Sequence, residues 1–209
     1  MLGIAEKLID PVTYIETAHI FPSPLFPPAF QTILHKVVTD MLDSLEVQNT
    51  ISNWEFIITP DDKLAMVEGQ LRPSGDNVMD LIENACLFSP YTLFFDSLKM
   101  GVLPVQGFVA VHTSVICWPR PAEVAERISR IDLPAHLPKG VHLNADRDAL
   151  LQSRQWQGPR SWYDRHVSVM ATASNADEAW KLCHDTLSEC HLKGVTSDGK
   201  HLETGLVFP

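Results

Sequence analysis

The sequence predicts an α+β fold, on three observations. Helical and strand-like segments alternate along the chain. A strand–turn–strand hairpin interrupts that alternation, which argues against a purely parallel α/β sheet. The composition also supports a packed core, with 45 % hydrophobic and 20 % charged residues among 209, ordinary for a globular chain. The length suits one sizeable domain or two small ones.

Taken in order, residues 12–20 read as a strand, because Val, Tyr, Ile and Thr dominate them. Pro22, Pro24, Pro27 and Pro28 then impose a stiff, non-helical connection. Phe30, Ile33, Leu34, Val37, Val38, Met41, Leu42 and Leu45 follow the spacing of an amphipathic helix. Residues 54–59 and 64–70 form two hairpin strands around the loop Pro60-Asp61-Asp62-Lys63. Asp76 or Asn77 caps a helix reaching about residue 88, with Val78, Leu81, Ile82 and Ala85 inward. Pro90 opens another helix that Gly101 ends.

The second half is less regular. Residues 107–118 are strand-like, 121–130 read as a short helix and 140–143 as a strand. Residues 147–158 are polar and fit neither pattern. Residues 165–173 alternate apolar and polar, a strand. Ser174 then caps a helix running to about residue 192, and Ser197-Asp198-Gly199 marks a turn. The expected division is residues 1–104 and 105–209.

The formal net charge of -10 repels phosphate backbones and anionic membrane surfaces. Nucleic acid and membrane are therefore excluded as expected partners, whereas clustered carboxylates attract a divalent cation. Four cysteines without a C-x-x-C pair read as a reducing, cytoplasmic setting. Cys183 and Cys190, seven apart, belong to a buried stripe rather than a metal site. No apolar run has the length of a membrane span, and residues 1–7 carry no signal-peptide pattern.

The hairpin carries the chemistry. With a four-residue loop, Thr59 pairs with Leu64, Ile57 with Met66 and Glu55 with Glu68. Directly opposed side chains have Cβ atoms about 4.5–5.5 Å apart. Two carboxylates so placed repel, and a divalent cation between them reverses the sign of the interaction. The two-residue period puts Glu68, Gln70 and Arg72 on one face. That face offers carboxylates, an amide oxygen and a guanidinium fork suited to phosphate or carboxylate.

At these residues, Trp54-Glu55-Phe56-Ile57-Ile58-Thr59 followed by Val67-Glu68-Gly69-Gln70-Leu71-Arg72-Pro73-Ser74-Gly75-Asp76, the sequence resembles the ATP-grasp superfamily. The upstream segment Tyr14-Ile15-Glu16-Thr17-Ala18-His19-Ile20-Phe21-Pro22 is similar to the carboxylate–amine ligase branch, which includes L-amino acid ligases. The resemblance implies the C-terminal portion of that fold, a mixed or antiparallel sheet flanked by helices, with a small C-terminal α/β lobe that closes the enzyme. It implies ATP and Mg2+ (or Mn2+) as cofactors. Glu55, Glu68 and Gln70 are then metal ligands, with Glu55 and Glu68 facing the nucleotide. Arg72 contacts phosphate and an acyl-phosphate intermediate. Glu16, His19, Arg72 and Gly75 line the substrate pocket. Gln70 stands where the family has Asn.

The implied activity is ligation of a carboxylate, such as an amino acid, to an amine. No glycine-rich phosphate loop occurs in these residues. The expected partner is therefore an upstream-encoded subunit carrying the first half of the fold, or a second copy of the chain. The competing expectation is a non-catalytic binding or regulatory module, or a truncated remnant. A biotin-carboxylase-like reading is disfavoured by the Glu16/His19 segment.

Overall fold

The computed structural model describes residues 1–48, 50–61, 63–101 and 108–208. The chain divides into two compact units. One comprises Met1–Ile4 and Pro22–Val111, the other Ala5–Phe21 and His112–Pro209. The expected boundary at 104/105 lies outside the described residues. Ala5–Phe21 joins the later unit for a backbone reason. It forms the hairpin of β1 (Glu6–Ile9) and β2 (Glu16–Phe21), and β2 pairs antiparallel with a strand from the second half of the chain. The single strand expected over 12–20 is thus a turn followed by a strand. Asp10 causes the break: its carboxylate accepts the backbone N–H of Val12 and Thr13, each at 2.8 Å, a local turn that competes with extended pairing.

In the first unit, α1 (Pro28–Ser44) starts with proline at its first turn, where a missing N–H costs nothing. Its apolar face is only partly covered: Leu34 is buried, but Ile33 is exposed. The hairpin follows as β3 (Asn53–Ile58) and β4 (Leu64–Gln70). Then α2 (Val78–Cys86) buries Val78, Met79, Leu81, Ile82 and Ala85. Asn77 does stand at its N-cap, but in the left-handed region with φ 62° and without a capping bond. Its side-chain amide donates to the Asp80 carboxylate at 3.0 Å instead. Leu87, also left-handed, ends this helix before the expected residue 88. Finally α3 (Pro90–Met100) is capped by Ser89, which accepts the N–H of Thr92, and stopped by Gly101 at φ 69°, as its Pro and Gly predict.

In the second unit, β5 (Thr113–Cys117), β8 (Val141–Ala145) and β9 (Val167–Ala173) complete a five-stranded sheet ordered β1-β2-β5-β9-β8. Gly107, where the strand-like pattern was expected to start, lies outside the described residues. A four-stranded sheet ordered β6-β11-β10-β7 uses β6 (Arg120–Pro121), β7 (Arg127–Asp132), β10 (His191–Val195) and β11 (His201–Val207). Every described strand pairing is antiparallel. The polar stretch from 147 forms α4 (Arg147–Gln152), capped by Asp146. The last helix, α5 (Ala176–Ser188), touches β5, β9 and β11. One core gathers Ala18, Ile20, Val115, Val169, Cys183 and Leu192 from these layers.

The short helix expected over 121–130 is instead the end of β6, a bend and the start of β7. Ala125, Ile128 and Ile131 are all buried at a helix-like spacing of three. Between Ile128 and Ile131 the cause is a bulge: Ile128 pairs with Gly194 but Arg130 pairs with Lys193. Ser129 is therefore extra, and it shifts the strand's inward phase by one residue. The last helix also differs at both ends. Asn175, not Ser174, is its N-cap and accepts the N–H of Glu178 at 2.9 Å. It stops at Ser188, so the buried Cys190 lies beyond it.

Candidate functional site

The hairpin register decides whether Glu55 and Glu68 meet. They do: Glu55 stands directly opposite Glu68, and Asn53 opposite Gln70. The route differs from the expected one. At the turn end Ile58 pairs with Leu64 and Phe56 with Met66, one residue out of the anticipated phase. A bulge with Val67 as its extra residue restores the pairing before Glu55. The turn is closed by Thr59, whose N–H donates to the Lys63 carbonyl at 2.8 Å. Asp62 of the expected loop is outside the described residues.

The polar face is a connected network. Asn53 Nδ2 donates to Glu55 Oε1 at 3.2 Å and to Gln70 Oε1 at 3.5 Å. Gln70 Nε2 donates to Glu68 Oε1, and Ser74 Oγ donates to Asn53 Oδ1 at 2.7 Å. Amide hydrogens thus reach both carboxylates and offset part of their mutual repulsion. On the other face Trp54 lies over Gly69. A Cβ at Gly69 would sit 2.5 Å from Trp54 Cζ3, and the indole N–H is held by Ser52 Oγ at 2.9 Å. The Glu-Gly-Gln run therefore places a residue without a side chain where the indole needs room.

Arg72 is not on the strand. β4 ends at Gln70, so the two-residue period stops before it. Its guanidinium donates to the Pro73 carbonyl at 2.8 Å and remains exposed. Gly75 leaves space beside it, since a Cβ there would meet only Arg72 Nη1, at 4.0 Å. Asp76 and Asn77 follow with φ of 51° and 62°, two non-glycine residues in a costly conformation. The structure thus brings Glu55, Glu68 and Gln70 into one network, with Arg72 and Gly75 on the loop that leaves it. Asn53 and Ser74 escape sequence reasoning, although Asn53 is in strand phase with Glu55.

Glu16 and His19 belong to the second unit and form a separate cluster. His19 Nε2 is 3.1 Å from Glu16 Oε2, Lys7 Nζ is 2.7 Å from Glu16 Oε1, and Arg165 Nη2 is 3.2 Å from Glu16 Oε2. Burial alone would raise the Glu16 carboxyl. Hydrogen bonds from His19 and Lys7, together with their charges, outweigh it and hold the carboxyl well below the usual range. The Arg165 guanidinium stacks 3.9 Å from the Trp118 ring centroid, and Trp118 meets His19 edge-on at 5.0 Å. His19 has 0 % exposure, so it presents no surface to a ligand and instead steadies Glu16. Its Nδ1 has no hydrogen-bond partner among the described residues. Arg165 was not anticipated as part of this cluster. The available signal was a charged residue just ahead of an alternating strand.

The candidate donors on the hairpin are all oxygen, the Glu55 and Glu68 carboxylates and the Gln70 amide oxygen, a chemistry that fits Mg2+ or Mn2+. Among the described residues no three His, Cys, Asp or Glu side chains converge as a metal-holding group. Any cation on two carboxylates therefore completes its shell from elsewhere, as magnesium does with nucleotide phosphates. The cysteines contribute nothing here. All four are free, and burial pushes the Cys190 thiol up to about 11, the behaviour of an inert structural thiol.

Solved structures of the same architecture exist. The chain superposes over 100 % of its length on the biotin carboxylase domain of Hydrogenobacter thermophilus 2-oxoglutarate carboxylase, with TM-score 0.64 and 14 % identity. It matches phosphoribosylglycinamide synthetase from Anaerococcus prevotii over 90 %, with TM-score 0.65 and 11 % identity. Both are ATP-grasp enzymes. The chain has an ATP-grasp fold. A third ATP-grasp likeness is the Campylobacter jejuni biotin carboxylase, matched over 98 % with TM-score 0.61 and 12 % identity. The chain spans 44 %, 47 % and 43 % of these three proteins, less than half of each. No family model matches the sequence, and no curated protein matches it. Identities this low establish the ATP-grasp fold without choosing between a biotin carboxylase and an amino-acid ligase.

Proposed function

We propose that the chain is the metal- and carboxylate-binding portion of an ATP-dependent carboxylate–amine ligase acting through an acyl phosphate. The observation that carries this reading is Glu55 facing Glu68 across the hairpin with Gln70 in the same network. Opposed carboxylates on a hairpin weaken it by their repulsion, and their retention on a face of oxygen donors supports a cation-binding role. Glu55, Glu68 and Gln70 hold the Mg2+ or Mn2+, which supplies positive charge to the phosphates of ATP when bound.

The chain's own residues do the rest by position and charge. Arg72, exposed on the loop after β4, offers its guanidinium to the transferring phosphoryl group. Gly75 leaves the room in which a substrate carboxylate approaches. In the reaction the carboxylate oxygen bonds to the γ-phosphorus and the bond to ADP breaks. An amine nitrogen then bonds to the acyl carbon, phosphate leaves and the nitrogen loses a proton. Within the second unit, Glu16, with a quarter or less of its side chain exposed and firmly ionised, is by our reading a substrate-binding acidic group that His19 holds in place.

ATP hydrolysis stimulated by amino acids tests this reading, with the chain alone and with the product of an adjacent upstream gene. Glu68→Gln is expected to remove the stimulated activity, and activity equal to wild type in that variant would overturn the assignment. The second reading, a non-catalytic module, rests on Gln70 occupying the place of Asn and on its amide being engaged by Glu68. Calorimetry separates the two: a chain that takes up no Mg-ATP, alone or with its partner, is a module and not a ligase.

A further inference from the structure

We propose that Asn53 is a positioning residue that sets the two hairpin carboxylates and couples them to the loop beyond β4. This rests on the hairpin being a cation and phosphate site. Ser74 Oγ gives its proton to Asn53 Oδ1 at 2.7 Å, and the acceptor-only carboxylate of Glu55 fixes the other end of the Asn53 amide as the one that carries N–H. That end points at Glu55 Oε1 and Gln70 Oε1. Gln70 is thereby oriented in turn, with its oxygen toward Asn53 and its N–H toward Glu68. The Ser74 hydroxyl and the two amides thus form one chain of hydrogen bonds, and each amide grips one carboxylate.

The relay has a functional consequence. Ser74 stands between Arg72 and Gly75, on the loop proposed to meet phosphate and substrate. A ligand that draws the Ser74 hydroxyl away removes one of the contacts that hold Asn53, and so loosens its hold on the Gln70 oxygen. The carboxylate pair and the loop then respond as one device, although Ser74 touches neither carboxylate. Groups that orient metal ligands without touching the metal commonly contribute about 10- to 100-fold in metal affinity.

Two readouts on the full chain test the proposal. The first is the NMR signal of the Gln70 side-chain amide in wild type, Asn53→Ala and Ser74→Ala. The second is a titration with Mn2+ alone, followed by electron paramagnetic resonance. The expected result is a displaced Gln70 signal in both variants and Mn2+ affinity about tenfold weaker in Asn53→Ala. Adding Ser74→Ala to Asn53→Ala should then change little, because both act through one amide. An unmoved Gln70 signal in both variants overturns the relay whatever Mn2+ does. A moved signal with unchanged Mn2+ affinity overturns the positioning role. A wild-type chain that ignores Mn2+ while Gln70 still responds defeats the cation reading of the hairpin and leaves the relay standing.

Discussion

Glu16 shows how much one side chain can carry. Three cationic or potentially cationic neighbours converge on its carboxylate, and one of them, Arg165, is only 9 % exposed. Removing the charge in Glu16→Gln takes one anionic partner from a nearly buried guanidinium. Fully buried pairs broken this way cost roughly 3–5 kcal/mol, and the part-exposure of Glu16 lowers the expectation to about 2 kcal/mol. The pH dependence has a definite sign. The folded-state carboxyl is depressed, so its stabilisation is complete above the ordinary carboxylate range of about 4.3 and drains away as pH falls below it. Denaturant titrations at pH 7 and pH 3 check this. The wild type should lose more stability across that interval than Glu16→Gln, and parallel losses would remove Glu16 from the account. The cluster was half legible in the sequence. Glu16 and His19 are three apart on one segment, whereas Lys7 and Arg165 arrive from β1 and from just ahead of β9, pairings that no local pattern encodes.

At the level of elements, what the sequence foretold and what it missed divide along a physical line. Helices bounded by Pro and Gly, such as α3, obey local chemistry and were readable. Segments containing bulges were not, because one inserted residue changes the inward phase. Ser129 makes β7 imitate a helix, and Val67 makes the hairpin register shift by one before returning to the Glu55–Glu68 pair. That pair was legible because the longer observed turn and the bulge offset each other. The opposite face of the hairpin was not read at all, and it supplies a prediction. Trp54 covers Gly69, and a methyl there would lie 2.5 Å from the indole. Gly69→Ala should destabilise the chain by about 1–3 kcal/mol, the usual cost of overpacking. It should also disturb Mn2+ binding, because Gly69 lies between Glu68 and Gln70. Thermal unfolding and tryptophan fluorescence report both the cost and the displaced indole. An unchanged Tm with unchanged fluorescence would show that the indole yields freely.

At the scale of the molecule, the first unit leaves an unusual amount of apolar surface in water. On α3 alone Tyr91, Phe95 and Leu98 are 39 %, 64 % and 59 % exposed, and their spacing of four and three puts them on one helical face. Ile33 on α1 and Met66 and Val67 on β4 add to it. Single exposed apolar residues are ordinary, but a continuous helical stripe is the kind of surface that association covers. We expect sedimentation of the purified chain to show self-association that rises with concentration and persists in salt, because the stripe itself is apolar. The net charge of -10 works against it, so raised salt should strengthen the association rather than weaken it. Phe95→Glu with Leu98→Glu should return the chain to a monomer with little change in Tm, as neither side chain is buried. A wild-type chain that stays monomeric at all concentrations and salt levels would mean that the α3 stripe needs no cover.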